Sequence, residues 1–208
     1  MTGPTAMRVA GLLVLVAGAA LAASRLAPSR QAEPLPVIAE IPDFALTEAS
    51  GRSVSRADLL GTPWIADLIF TSCGGICPTM TREMKTLQTQ TADLAELRLV
   101  SISVDPATDT PVRLTEYAAR FGADRSRWLF LTGDNAAIRK LAQEGLLLPV
   151  ADGNPERGDD AVLHSPRFVL VDAQGRVRGS YDTRDPEAML RLRGDLRRLV
   201  EQDPNAAS

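Results

Sequence analysis

The chain has 208 residues, of which 45% are apolar and 4% aromatic, so it can bury one largely aliphatic core. Its net charge is −3, and the first thirty residues carry three arginines and no acid, which leaves the remainder with a net charge of −6. An acidic body without a basic stripe argues against binding to nucleic acid. Two cysteines are too few for a disulfide framework and are therefore candidates for chemistry.

The N-terminal segment, residues 1–27, predicts membrane targeting. Val9–Ala23 is an unbroken run of small and apolar residues, with an arginine close to each end. Its fifteen residues are typical of a signal-peptide core and short for a membrane span. Both a cleaved signal and a retained anchor remain open, because Ala20-Leu21-Ala22 fits a cleavage site while Leu26 and Ala27 extend the apolar run.

Both alternatives place the rest of the chain outside the cytoplasm, on the periplasmic face of the inner membrane. Residues 28–40 are proline-rich and predict an extended tether. Residues 41–208 are then expected to form the folded domain.

Strands and helices alternate along this domain, and this order favours an α/β fold with a central sheet covered on both faces. The predicted elements in chain order are a hairpin around Gly51, strand Trp64–Phe70, helix Thr79–Ala92, strand Leu97–Val104, helix Pro111–Phe121, strand Trp128–Leu131, helix Asn135–Glu144, strands Arg167–Val171 and Arg176–Tyr181, and helix Asp185–Glu201. A cysteine pair after the first strand of this series, with a hairpin and helix at the end, predicts a thioredoxin-like fold with a mixed sheet.

Both cysteines lie in one loop. Cys73 and Cys77 follow a buried strand, are separated by Gly74-Gly75-Ile76 and are followed by Pro78. Glycines favour a loop, and a proline fits the first turn of a helix, so we predict that a helix begins near Cys77. Amide dipoles at a helix start favour thiolate over thiol, and both sulfurs are therefore expected to be nucleophiles or metal ligands.

The single histidine, His164, comes just before strand Arg167–Val171. In a thioredoxin-like sheet that strand lies beside the first one, and its leading end faces the cysteine loop. Two thiolates and an imidazole suit Cu(I), and an added oxygen ligand suits Cu(II). A histidine that is hydrogen-bonded at the surface, without a metal, is the alternative.

Several segments resemble the SCO/SenC family of copper-binding cytochrome oxidase assembly proteins. They are Cys73-x-x-x-Cys77-Pro78, Ser103-Val104-Asp105-Pro106-Ala107-Thr108-Asp109-Thr110-Pro111, Leu131-Thr132-Gly133, and the run from Asp159 through His164-Ser165 to Asp172. They occur in consistent order over roughly residues 40–200, which is more specific than any one motif.

The resemblance implies a thioredoxin-like fold with an N-terminal anchor and a copper site formed by Cys73, Cys77 and His164. It also implies that copper is received from a donor and delivered to the Cu(A) centre of cytochrome c oxidase subunit II. Asp105 matches an acidic position near the family's site and is a candidate supporting residue; capping the following turn is its alternative role. Many family members have a proline and an acidic residue between the cysteines, whereas this chain has Gly74-Gly75-Ile76.

An extracytoplasmic thiol–disulfide oxidoreductase is the competing function, with Cys73 and Cys77 as attacking and resolving thiols. The separation of three residues argues against it, because the usual redox motif has two. Pro166 resembles the cis-proline beside the cysteines of thioredoxins and predicts a cis Ser165–Pro166 bond. A metallochaperone needs no turnover, so under the leading hypothesis the protein is not an enzyme.

Overall fold

The computed structural model describes residues 33–94, 96–151 and 163–202. The strands are β1 (Ala39–Glu40), β2 (Ala45–Glu48), β3 (Ser53–Ser55), β4 (Trp64–Ile69), β5 (Arg98–Ser103), β6 (Trp128–Thr132), β7 (Val150–Ala151), β8 (Leu163–His164), β9 (Arg167–Val171) and β10 (Arg176–Asp182). The helices are α1 (Cys77–Gln90), α2 (Pro111–Arg120), α3 (Asn135–Lys140) and α4 (Pro186–Gln202). The predicted membrane-targeting segment, residues 1–27, lies outside the described residues.

Eight strands form one mixed sheet in the order β1-β10-β9-β4-β5-β6-β2-β3, and β7 pairs with β8 separately. At its centre β4, β5 and β6 are parallel, with Asp67 opposite Ser101 and Ser101 opposite Phe130. All six residues of β4 are buried, as expected for a parallel strand covered on both faces. This arrangement, with the β9–β10 hairpin beside β4 and a closing helix, confirms the predicted thioredoxin-like fold.

Strand β9 runs antiparallel to β4, with Trp64 opposite Val171 and Ala66 opposite Val169. The start of β9 therefore lies at the edge of the sheet where β4 ends and the cysteine loop begins. The parallel strand β5 ends at the same edge, so the loop that follows β5 also reaches it.

Local sequence signals set the helix ends. Thr110 caps α2 by accepting a hydrogen bond from Arg113 N at 3.4 Å, and Gly122 follows the helix with a φ of +62°. Asp134 caps α3 in the same way through Ala137 N at 2.9 Å. The predicted helix continues beyond α3 as one π-helical turn, Leu141–Gly145. No helix among the described residues is both long and apolar enough to cross a bilayer.

The folded part includes residues before the predicted start at residue 41. Leu35 is buried, β1 pairs with β10, and Ile38 N donates to Val177 O at 2.8 Å. The compact unit accordingly begins at Leu35. The strand added at this edge was not predicted because two residues carry no periodic pattern.

The predicted cis bond at Ser165–Pro166 is wrong, because this peptide is trans. Arg167 N donates to Ser165 O at 2.8 Å, closing a tight turn around the proline. Pro166 O accepts hydrogen bonds from both the amide and the hydroxyl of Thr183. The trans isomer is also the intrinsically favoured one for a bond before proline, and here the surrounding contacts accommodate it.

Candidate functional site

The two cysteines lie at opposite ends of a short loop between β4 and α1. Cys73 is half-buried, and its amide donates to Phe70 O at 3.2 Å, which closes a turn after the strand. Cys77 is the first residue of α1 and is fully buried, with Pro78 in the first turn as predicted. Between them Gly74 and Gly75 are exposed, so solvent reaches the loop from that side.

The thiols of Cys73 and Cys77 are neighbours and are not joined by a disulfide. Burial raises the pKa of Cys77, and the adjacent Cys73 thiol raises it further, whereas a hydrogen bond from the backbone of Phe70 acts in the opposite direction. The expectation that the helix start makes Cys77 a thiolate is therefore wrong for the metal-free protein. Burial removes the sulfur from water, and that cost outweighs the helix dipole.

A polar network lies behind Cys77. Thr81 Oγ1 donates to Cys77 O at 2.9 Å and contacts the Tyr117 hydroxyl at 2.7 Å, which joins the first turn of α1 to α2. Thr81 is fully buried and Tyr117 nearly so. These bonds fix the backbone of Cys77 from the protein interior.

A second buried group, Asp67, lies on the central strand β4. Its Oδ1 accepts from Ser101 Oγ at 2.6 Å, and Ser101 Oγ accepts from Trp128 Nε1 at 2.9 Å, while Asp67 Oδ2 has no hydrogen-bond partner. Burial raises the pKa of Asp67 to about 7. Tyr117 and Cys77 both sense its charge, so Asp67 belongs to the electrostatic surroundings of the cysteine loop.

The residue that joins the cysteine loop to the loop after β5 is Asp109, whose role the sequence analysis missed. Its Oδ2 accepts from Thr71 N at 3.0 Å and from Ser103 Oγ at 2.6 Å, and its Oδ1 accepts from Thr71 Oγ1 at 2.5 Å. The sequence analysis named Asp109 only within a segment that resembles the SCO/SenC family and gave it no role; the cap of α2 is Thr110. Two sequence features could have indicated this link. Thr71 lies two residues before Cys73 at the end of β4, and Asp109 lies in the loop after the neighbouring strand β5.

The predicted supporting residue Asp105 lies in the same loop, half-buried. Its Oδ1 accepts from Thr108 N at 3.3 Å, and its amide donates to Ser103 Oγ at 3.1 Å. The carboxylate thus caps its own turn, which was the alternative considered for it. Its predicted influence on a bound metal stays a prediction.

His164 is described only through its backbone. It lies in β8 opposite Val150 of β7, three residues before β9 begins. The prediction that its imidazole joins the two sulfurs therefore lies outside what the structure describes. Within the described residues, no three His, Cys, Asp or Glu side chains are grouped as a metal site.

Met80 and Met84 are fully buried in the core behind the loop, as packing residues of α1. Among the side chains that the structure describes, the soft donors at the cysteine loop are the adjacent sulfurs of Cys73 and Cys77. Soft sulfur ligands fit Cu(I), and the packed core behind Cys77 limits the access of water to one side. The chemistry of these donors fits copper, and the same two thiols can also form a disulfide.

A family model described as SCO1/SenC matches residues 33–201, which is most of the chain. The chain belongs to the SCO1/SenC family. Among its curated relatives is the SCO1 protein homolog of Bacillus subtilis, 37% identical over 149 residues that cover 71% of this chain and 76% of the relative.

Two solved structures of the family extend this likeness to three dimensions. BsSco, described as a member of the Sco family of cytochrome c oxidase assembly proteins with a disulfide switch, is 32% identical with a TM-score of 0.70, over 82% of this chain and all of BsSco. Bradyrhizobium japonicum ScoI with copper bound is 27% identical with a TM-score of 0.63, over 78% of this chain and 99% of ScoI. Members of this family therefore include proteins that bind copper and proteins whose cysteines switch by disulfide formation.

Proposed function

We propose that this protein is a copper metallochaperone that binds copper through Cys73, Cys77 and His164. The observation that carries the proposal is the pair of adjacent thiols, not joined by a disulfide, at the end of β4 on a loop that solvent reaches. The copper-bound ScoI structure, a relative of the same fold, supports copper as the metal.

The backbone path supports His164 as the third ligand. Strand β9 begins at the edge of the sheet where β4 ends, and His164 precedes Arg167 by three residues. Three residues of extended chain span at most about 10 Å. A histidine at this point of the chain is therefore within reach of the loop that carries the sulfurs.

The asymmetry of the two thiols suggests how copper enters and leaves. Cys73 is half-buried and accessible, whereas Cys77 is a buried thiol whose pKa is raised, so metal binding must displace its proton. In this proposal Cu(I) first meets Cys73 and then Cys77. Transfer occurs by stepwise ligand exchange with an acceptor's ligands, without a change in oxidation state.

We propose cytochrome c oxidase subunit II, with its Cu(A) centre, as the acceptor and an unidentified copper donor on the same side of the membrane. The description of BsSco as an oxidase assembly protein supports this route. The apolar run Val9–Ala23, with arginines near its ends, supports a body exported to or anchored at the periplasmic face of the inner membrane. The acidic body has no feature that would direct it to nucleic acid.

Thiol–disulfide exchange with a partner is the second candidate, and the contact between the two thiols favours it. The Cys73 thiolate would attack a partner disulfide and release one partner thiolate. Cys77, once deprotonated, would attack the Cys73 sulfur and release the second. The partner then gains two electrons, and the two cysteines lose them in forming a disulfide.

Anaerobic Cu(I) titration of the reduced full-length protein in detergent, with a chromophoric competitor, tests the proposal. We expect one tightly bound Cu(I) in the wild type, and a weaker site in Cys73→Ser, Cys77→Ser and His164→Ala. The neighbouring Ser165→Ala is the control and should bind as the wild type does. Absence of stoichiometric copper in the wild type would contradict the metallochaperone, and partner reduction that needs only the two cysteines would favour the oxidoreductase.

A further inference from the structure

We propose that Asp109 is a positioning residue that fixes Cys73 relative to Cys77. Asp109 lies in the loop between β5 and α2 and acts through Thr71, two residues before Cys73. The inference rests on the proposed function because it concerns the same pair of thiols.

The geometry of the Asp109 carboxylate supports this role. It is fully buried and receives three hydrogen bonds, two of them from Thr71 and one from Ser103. Asp109 N also donates to Asp105 O at 2.9 Å, which fixes the backbone that carries the carboxylate. Three hydrogen bonds to one buried carboxyl group make a firm link between the two loops.

The cysteine loop needs such a link because its own sequence is permissive. Two exposed glycines follow Cys73, and a Cβ placed on Gly74 would meet nothing within 4 Å. On the strand side, the bonds of Thr71 to Asp109 and the turn from Cys73 N to Phe70 O hold the chain before these glycines. At the other end Cys77 is fixed by α1 and by Thr81. Removing Asp109 therefore loosens the chain before Cys73, which keeps only its turn to Phe70, and leaves Cys77 in place.

Three variants separate this role from general destabilisation. Asp109→Ala removes all three acceptor contacts. Asp109→Asn has nearly the same shape; its amide oxygen can still accept from Thr71 N and Ser103, and the Thr71 hydroxyl can rotate to accept from the new NH₂. Glu48→Ala, the control, removes a buried carboxylate that bonds Ser50 N and Arg125, at the hairpin between β2 and β3.

Two measurements read the position of Cys73 directly. The first is the Cu(I) dissociation constant, which Asp109→Ala should raise by roughly 10- to 100-fold, as loss of an outer contact to a ligand typically does. The second needs no metal: the equilibrium constant between the Cys73–Cys77 disulfide and glutathione should change at least several-fold in Asp109→Ala. We expect Asp109→Asn to stay close to the wild type in both, and Glu48→Ala to lose thermal stability without changing either.

Hydrogen exchange of the Thr71 amide is the third readout, and it should be faster in Asp109→Ala than in wild type and Glu48→Ala. If Asp109→Ala does not fold, Thr71→Val replaces it, since it removes one of the three bonds and should shift both constants in the same direction by a smaller factor. Wild-type values of both constants in folded Asp109→Ala would overturn the inference and leave the copper proposal intact. If the wild type bound no copper, the copper proposal would fail, and the glutathione equilibrium would still decide the role of Asp109.

Discussion

Asp67 is a buried carboxylic acid with one oxygen bonded to Ser101 and the other without a partner. Its folded-state pKa of about 7 lies above the ordinary value of about 3.9. Its contribution to the free energy of unfolding is thus fully present below pH ~4 and is lost as pH rises through about 7. The difference in free energy of unfolding between Asp67→Asn and wild type should rise in favour of the variant by up to about 4 kcal/mol between pH ~4 and ~8. Urea unfolding at several pH values measures this difference.

Asp58→Asn is the control for this pH dependence. Asp58 is exposed, and hydrogen bonds from the Ser55 side chain and amide lower its pKa. Its contribution to stability is therefore present above its unfolded pKa and is lost only as pH falls through the lower folded value. Parallel curves for Asp58→Asn and wild type between pH 5 and 8 are expected, and a flat difference for Asp67→Asn would contradict the burial of a titrating acid.

At the scale of residues, the sequence predicted that the two thiols lie together but did not predict what surrounds them. Cys73 and Cys77 could be predicted as the chemical pair because the chain has two cysteines, both in one loop. The protonation state of Cys77 could not be predicted, because the burial of its thiol depends on the core that α1 and α2 build around it. The link through Asp109 was not predicted either. Its partner Thr71 is 38 residues away, and only the parallel pairing of β4 and β5 brings the two residues together.

Among the elements, the π-helical turn Leu141–Gly145 contacts the segment before β2. A Cβ at Gly145 would lie 2.7 Å from Pro42 Cδ and 3.2 Å from Leu141. Gly145→Ala should therefore destabilise the protein by about 1–3 kcal/mol, the usual cost of overpacking a filled site, as measured by urea unfolding.

The matched control is Gly194→Ala in α4. Gly194 is exposed in the middle of the helix, and an added Cβ meets nothing within 4 Å. Because alanine has the higher helix propensity, this change should stabilise the protein by about 0.5–1 kcal/mol. Equal effects of both substitutions would mean that Gly145 does not make the close contact with Pro42.

The central elements were predictable because their patterns are strong. Strand β4 is apolar apart from Asp67, and helix α2 has Thr110 before it and Gly122 after it. The edges of the sheet were not: β1 has two residues, and its pairing with β10 joins parts of the chain more than 130 residues apart. The Ser165–Pro166 bond was predicted wrongly because the prediction rested on a resemblance to the thioredoxin cis-proline, whereas the bond is in the trans form that is intrinsically favoured.

At the scale of the whole molecule, Arg178 connects Leu35, near the start of the described residues, to the sheet. Arg178 is buried and donates both to Asp172 Oδ2 at 2.7 Å and to Leu35 O. Arg178→Ala should lower the free energy of unfolding by about 3 kcal/mol, because it removes the buried arginine of the ion pair with Asp172 and the donor to Leu35 O, and leaves Asp172 only its bonds from Arg176 and from two backbone amides. Urea unfolding at neutral pH measures this loss.

Arg176→Ala is its control. Arg176 Nε also bonds Asp172 Oδ2, at 2.8 Å, but its side chain is 37% exposed. Arg176→Ala should lower the free energy of unfolding by about 1 kcal/mol or less, as is usual for ion pairs in contact with water. A larger loss in Arg176→Ala than in Arg178→Ala would show that the buried arginine is not the main partner of Asp172.

The whole-molecule architecture brings three distant parts of the chain to one edge of the sheet: the cysteine loop, the Asp109 loop and the start of β9. X-ray absorption at the copper edge of the Cu(I)-loaded protein tests most directly whether that edge holds one metal ion. We predict two sulfur scatterers and one nitrogen scatterer in the wild type, and loss of the nitrogen in His164→Ala. A wild-type spectrum with sulfur alone, or one that His164→Ala leaves unchanged, would contradict a site shared by Cys73, Cys77 and His164.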